Sequence, residues 1–147
     1  MRRSEAPVGR VIGEFRGVFR FLSNFVPARV ILDGVEYPSI EHAFQAAKTL
    51  IPDQRKRFVG GTAAVAKRNG RALLLREDWE SVKIGVMEAL LRQKFAADPF
   101  RSMLLATGNA MLVEGNYWGD RFWGVCGGVG ENHLGRLLMK IRAEMRK

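Results

Sequence analysis

Residues 38–48 read PSIEHAFQAAK, and their spacing predicts a helix. Ser39 is a natural N-cap, because its side-chain oxygen can take a free N–H of the first turn. Glu41, Gln45 and Lys48 recur at i, i+4 and i+7 and share one face. Ala43, Ala46, Ala47 and Leu50 form the opposite face, small and apolar enough for close packing. One side therefore packs, and the other gathers a carboxylate, an amide and an amine. A desolvated lysine changes its pKa readily and serves as nucleophile or Schiff-base former. A carboxylate in an apolar cleft rises in pKa and can act as general acid. The same spacing also describes an ordinary solvated Glu–Lys stripe.

Upstream, residues 30–37 read VILDGVEY, a hairpin with Asp33-Gly34 as its turn. Between Arg10 and Phe25, the residues Val11, Phe15, Phe19 and Phe21 suggest one or two strands. Residues 1–9 read as a loose polar segment. Downstream the pattern is helical. Thr62 caps a short helix to Asn69, with Gly70 just past its end. Asp78 caps a longer helix to about Ala97, in which Trp79, Val82, Val86, Leu90 and Leu91 keep helical spacing ahead of Pro99. Residues 100–106 form another short helix, ended by Gly108, and residues 109–130 are loop-rich. A last helix begins near Asn132, with Leu134, Leu137, Leu138, Ile141 and Met145 inward. The expected fold is mainly α, an α+β chain whose small β element lies near the N-terminus. It is expected to form one compact domain over residues 10–147.

The 147 residues suffice for one hydrophobic core. Lys and Arg number 24 against 15 Asp and Glu, a net charge of +9. Such a surface favours anionic partners such as nucleic acid, nucleotides or sugar phosphates, or simply serves solubility. Basic residues cluster at Arg55–Arg57, at Lys67-Arg68 and in the tail Arg142–Lys147, which reads as the solvated end of the last helix. Cys126 is the only cysteine, so an internal disulfide and a cysteine-based zinc site are excluded. His42 and His133 alone cannot build a His-rich site, and no metal or cofactor is expected. No apolar run approaches the roughly 18 residues of a membrane span. The first ten residues lack the apolar core of a signal peptide, so a cytoplasmic protein away from the membrane is expected.

Other stretches carry candidate chemistry. Residues 116–124, NYWGDRFWG, set Tyr117, Trp118 and Trp123 around Asp120. An aromatic wall with one carboxylate suits a base and a sugar, and equally suits a loop whose tryptophans fill a core. Gly127, Gly128 and Gly130 precede the last helix, where free backbone N–H groups favour phosphate. The run matches neither the dinucleotide fingerprint nor the P-loop. In FLSNF at 21–25, Ser23 and Asn24 either reach into a pocket or cap a turn. There is no G-x-S-x-G, which sets serine hydrolysis aside.

Taken together, FLSNF at 21–25, YPSIEHAFQAAK at 37–48, WESVK at 79–83, LLATGNAMLVE at 104–114, DRFWG at 120–124 and GENHLGRLLMKIR at 130–142 resemble the YbiA-like, or NADAR, proteins. The resemblance spans nearly the whole chain after about residue 13. It implies a compact, mainly α domain and N-glycosidase activity without a cofactor. Two substrate groups are implied: early riboflavin-pathway phosphoribosylamino-pyrimidines, and ADP-ribose attached to guanine, the latter allowing nucleic acid as partner. The S-x-E-H-x-x-Q-x-x-K pattern falls on Ser39, Glu41, His42, Gln45 and Lys48, and the chain has Phe44 where the pattern often has tyrosine. The resemblance makes Lys48, Glu41 and Asp120 the expected catalytic residues, with Lys48 attacking the anomeric carbon through a Schiff base. Substrate contacts are expected from Ser23, Asn24, Phe25, His42, Gln45, Trp79, Trp118, Trp123, Gly130 and Asn132. The alternative is a non-catalytic ADP-ribose or NAD-binding module associated with nucleic acid.

Overall fold

A computed structural model describes residues 10–147; the loose segment expected at 1–9 lies outside them. In chain order the elements are β1 (Val11–Ile12), β2 (Val30–Leu32), β3 (Val35–Tyr37), α1 (Ile40–Ala46), α2 (Pro52–Arg55), α3 (Ala63–Gly70), α4 (Trp79–Lys94), α5 (Phe100–Ala106), β4 (Met111–Leu112), β5 (Gly115–Asn116), β6 (Val125–Cys126) and α6 (His133–Met145). Short 3-10 helices occupy Gly17–Leu22 and Lys56–Phe58. The fold is mainly helical, as the sequence predicts. Within the stretch read as one domain, contacts gather into two units: Asn24–Ala96, and the residues up to Ser23 together with Ala97–Lys147.

The unit Asn24–Ala96 is built around α1. Ser39 caps it, its hydroxyl accepting the His42 N–H at 3.2 Å. All seven residues of α1 are buried, and the helix packs against α3, α4, the β2–β3 hairpin and the 3-10 turn at 56–58. Ala43 and Ala46 allow that close approach from several sides. The hairpin pairs Val30 with Tyr37 and Leu32 with Val35. Asp33 (φ 49°) and Gly34 (φ 81°) take the left-handed conformations that a tight hairpin turn requires. Gln93 of α4 covers the hairpin's other edge, accepting the Ile31 N–H and donating to its carbonyl, each at 2.7 Å.

Four expectations change here. Leu50 is exposed, because the helix ends at Ala46 and the chain turns away before reaching it. Asp78 stands before α4 without capping it; its carboxylate is held by Arg76 at 2.6 Å instead, and α4 ends at Lys94 rather than Ala97. Gly70 is the last residue of α3, not a residue beyond it.

In the other unit, β1 runs parallel to β4 and β5 parallel to β6. Of the strands expected between Arg10 and Phe25, only Val11–Ile12 forms one. Gly17 (φ 59°) turns the chain, and residues 17–22 then wind into a 3-10 helix that buries Phe21 and Leu22. In α6, Leu134, Leu137, Leu138 and Ile141 are buried as expected.

The tail is not simply a solvated helix end. Arg142 is buried and donates to the Thr107 hydroxyl and the Ala110 carbonyl, each at 2.8 Å. Arg142→Met is therefore expected to destabilise the protein by about 2 kcal/mol, because the Ala110 carbonyl loses its partner without gaining water. Urea unfolding measures this; an unchanged midpoint would mean that the buried bonds contribute nothing net.

Candidate active site

The chemistry-bearing face of α1 is buried, not a solvated stripe. Glu41 is 8% exposed and Gln45 5%. Gln45 Nε2 donates to Glu41 Oε2 at 2.6 Å, so the amide one turn along the helix holds the carboxyl in place. Burial pushes the Glu41 pKa up; the Gln45 bond and the charges of Lys67 and Lys48 pull it down less strongly.

Lys48 follows α1 in a tight turn, its N–H bonded to the Gln45 carbonyl at 3.2 Å. Its side chain is half-buried, and burial pushes its pKa down. Glu41 opposes that shift, whereas Arg71, Lys67 and Lys83 reinforce it. Burial thus moves both groups towards their neutral forms. A protonated carboxyl beside an unprotonated amine is what acid-assisted nucleophilic attack needs.

Asn24 joins this region through its backbone, whose carbonyl accepts the Glu41 N–H at 3.1 Å. Its side-chain Nδ2 lies 3.5 Å from Met87 Sδ, and its buried Oδ1 has no hydrogen-bond partner among the described residues. A buried acceptor in that state is suited to a ligand hydroxyl. His42 is held at both ring nitrogens: Nδ1 lies 2.6 Å from the Ser39 hydroxyl and Nε2 2.9 Å from the Gly61 carbonyl. A carbonyl only accepts, so Nε2 carries the proton. Trp79 is buried with its ring centroid 5.1 Å from that of Phe44. Phe25 lies under Lys67, whose Nζ is 5.8 Å from the ring centroid.

Ser23, Trp118, Asp120, Trp123, Gly130 and Asn132 belong to the other unit. There, Asp120 Oδ1 accepts the N–H groups of Phe122 (3.1 Å) and Trp123 (2.9 Å). Asn116 pins both backbone polar groups of Asp120, at 2.9 and 3.0 Å. Trp123 packs edge-on against Phe122, while Trp118 is half exposed. Asn132 uses both ends of its amide on the backbone, at Leu112 O (2.9 Å) and Glu114 N (3.0 Å). Its amide therefore secures β4, and that engagement argues against the expected substrate contact. Gly130 is exposed, and a side chain there would strike the Gly124 carbonyl. Among the described residues, no group of three or more His, Cys, Asp or Glu side chains is placed to hold a metal, and no helix is long and apolar enough to cross a membrane.

The NADAR domain model matches residues 14–146. The chain belongs to the NADAR family. The N-glycosidase YbiA of Escherichia coli is 42% identical over 128 residues, covering 84% of this chain and 79% of that protein. An N-glycosidase of Nostoc punctiforme is 36% identical over 134 residues, covering 84% of each. A riboflavin biosynthesis protein of Vibrio vulnificus is 39% identical over 132 residues; the match covers 86% of this chain but only 36% of that longer protein. The NMR structure of E. coli YbiA superposes with a TM-score of 0.79 at 37% identity, covering 95% of this NADAR chain and 90% of the other.

Sequence reasoning missed Lys67, Arg71 and Lys83 as neighbours in charge of Lys48. Lys67 lies in α3 and Arg71 is the residue just past its end, four positions on, but no spacing rule says that α3 packs on α1.

The raised Glu41 pKa has a measurable consequence. Unfolded, the carboxyl titrates near 4.5; folded, it keeps its proton to higher pH. Its contribution to stability is complete below pH 4.5 and is lost as pH rises through the folded value. Glu41→Gln is always neutral, so it is expected to gain stability relative to the parent as pH rises above 4.5. Urea midpoints across pH measure the gap, and a gap that ignores pH would contradict a raised pKa.

Proposed function

We propose that this NADAR protein is an N-glycosidase that hydrolyses the bond between a nitrogenous base and the anomeric carbon of a ribosyl phosphate. The relatives named N-glycosidases support an enzyme of that class, a hydrolase of N-glycosyl bonds. The observation that carries the mechanism is the opposed effect of burial on two neighbours, raising Glu41 and lowering Lys48.

In the proposed reaction, the Lys48 amine donates its lone pair to the anomeric carbon. The electron pair of the C–N bond leaves with the base, and the base takes a proton for which the buried Glu41 carboxyl is the source. The lysine adduct returns one N–H proton to the Glu41 carboxylate and passes the other to the ring oxygen, so that the sugar ring opens and a Schiff base forms. Water then adds to the Schiff-base carbon, releasing the free ribose phosphate and restoring the amine. Asn24 Oδ1 accepts from a ribose hydroxyl, and Lys67, Arg71 and Lys83 supply the positive field that a phosphate requires. Asp120 shapes the loop around Trp123, the role its two backbone bonds support.

Two substrates fit this reading: the phosphoribosylamino-pyrimidines that precede riboflavin, and ADP-ribose on guanine. The name of the Vibrio relative favours the first; the net charge of +9 favours the second, on nucleic acid. The two are to be turned over side by side. Borohydride with the better substrate is expected to trap one adduct on Lys48, and Lys48→Ala to lose both adduct and turnover. Glu41→Gln is expected to lower kcat by roughly 10²- to 10⁴-fold. Full activity of Lys48→Ala with no adduct in the parent would remove the lysine from the scheme, and binding without base release would point to a non-catalytic module.

A further inference from the structure

Gly70 ends α3, and its backbone φ lies outside the left-handed region. Nothing in the backbone therefore demands glycine, and alanine is the better helix former. What demands it is Gln45. A Cβ built on Gly70 would stand 1.8 Å from Gln45 Oε1, 2.6 Å from its Cδ and 3.1 Å from its Cβ. The Gln45 amide thus occupies the space that a side chain at position 70 would fill. Its Oε1 is buried there without a hydrogen-bond partner among the described residues. With the oxygen directed at α3, Nε2 is directed at Glu41, which it reaches at 2.6 Å.

We infer that Gly70 is a positioning residue for Glu41: by lacking a side chain it lets the Gln45 amide seat against α3 and aim its N–H at the Glu41 carboxyl. The inference rests on the reading that Glu41 works in catalysis. A Cβ at position 70 pushes the amide off its seat, and the carboxyl loses the donor that favours its ionised form. The pH limb due to Glu41 then moves upward whether the residue acts as acid or base, because the same bond opposes protonation in both cases.

The test is a double-mutant cycle on kcat/KM against pH, with Gly70→Ala, Gln45→Ala, the double variant and Glu41→Gln. Gly70→Ala and Gln45→Ala are each expected to shift the Glu41 limb upward by about one pH unit. Removing the Gln45 amide removes the 1.8 and 2.6 Å clashes and leaves only the Cβ of residue 45 at 3.1 Å, so Gly70→Ala in the Gln45→Ala background is expected to add no further shift. If Gly70→Ala fails to fold, the double variant is expected to fold. An unshifted limb in Gly70→Ala, losses that multiply in the double variant, or a double variant that also fails to fold would each overturn the inference. Unchanged turnover in Glu41→Gln would instead overturn the catalytic reading beneath it.

Discussion

Desolvation of one carboxyl in a fully buried helix is the constraint to which the unit Asn24–Ala96 is arranged. A seven-residue helix has too few internal bonds to be stable alone, so α1 persists because its neighbours enclose it. Enclosure on every side also encloses Glu41. A buried carboxylate is costly unless it is hydrogen-bonded or protonated. Gln45 provides the bond at 2.6 Å, and burial raises the pKa towards the neutral form. The packing that makes the helix persist and the chemistry that makes its carboxyl acidic at unusual pH have the same cause.

The placement of α3 follows from that arrangement. Its entry is tied to α1 through His42, whose Nε2 donates to Gly61 just ahead of the Thr62 cap. Its exit is set by the contact of Gly70 with Gln45. Between these two ties lies Lys67, whose charge bears on both Glu41 and Lys48. His42, expected as a substrate contact, is thus engaged at both nitrogens in holding two helices together. A histidine next to a glutamate proposed as catalytic draws attention as chemistry, yet its partners are a cap hydroxyl and a backbone carbonyl.

What was legible in the sequence is what short-range physics decides. The Ser39 and Thr62 caps, the Asp33-Gly34 turn and the bounds Phe100–Ala106 each depend on a few neighbouring residues. The 3-10 helix at 17–22 was hidden because its phenylalanines recur at spacings a short strand also allows. The helical period carried to Leu50 fails because the chain turns after Ala46. The burial of Arg142 is hidden because nothing near it in sequence reveals that Thr107 and Ala110 need a donor. The identity of the candidate site residues was legible through the family pattern. Their burial was not, since spacing gives a helix its faces but not what covers them.

That burial decides what kind of pair Glu41 and Lys48 form. In water, a glutamate and a lysine would each keep its charge at neutral pH. Here their mutual attraction is present but comes second to desolvation at both residues. An ion pair would be poor machinery for this bond, because an ammonium has no lone pair and a carboxylate has no proton for the departing base. Moving the proton from the amine to the carboxyl costs least where neither charge is solvated. The three cations about Lys48 press the same way, disfavouring a fourth positive charge. A phosphorylated ligand would relieve that crowding and let the lysine regain its proton. In the proposed reaction, attack is therefore favoured by a phosphate held towards Lys67, Arg71 and Lys83 and away from the amine itself.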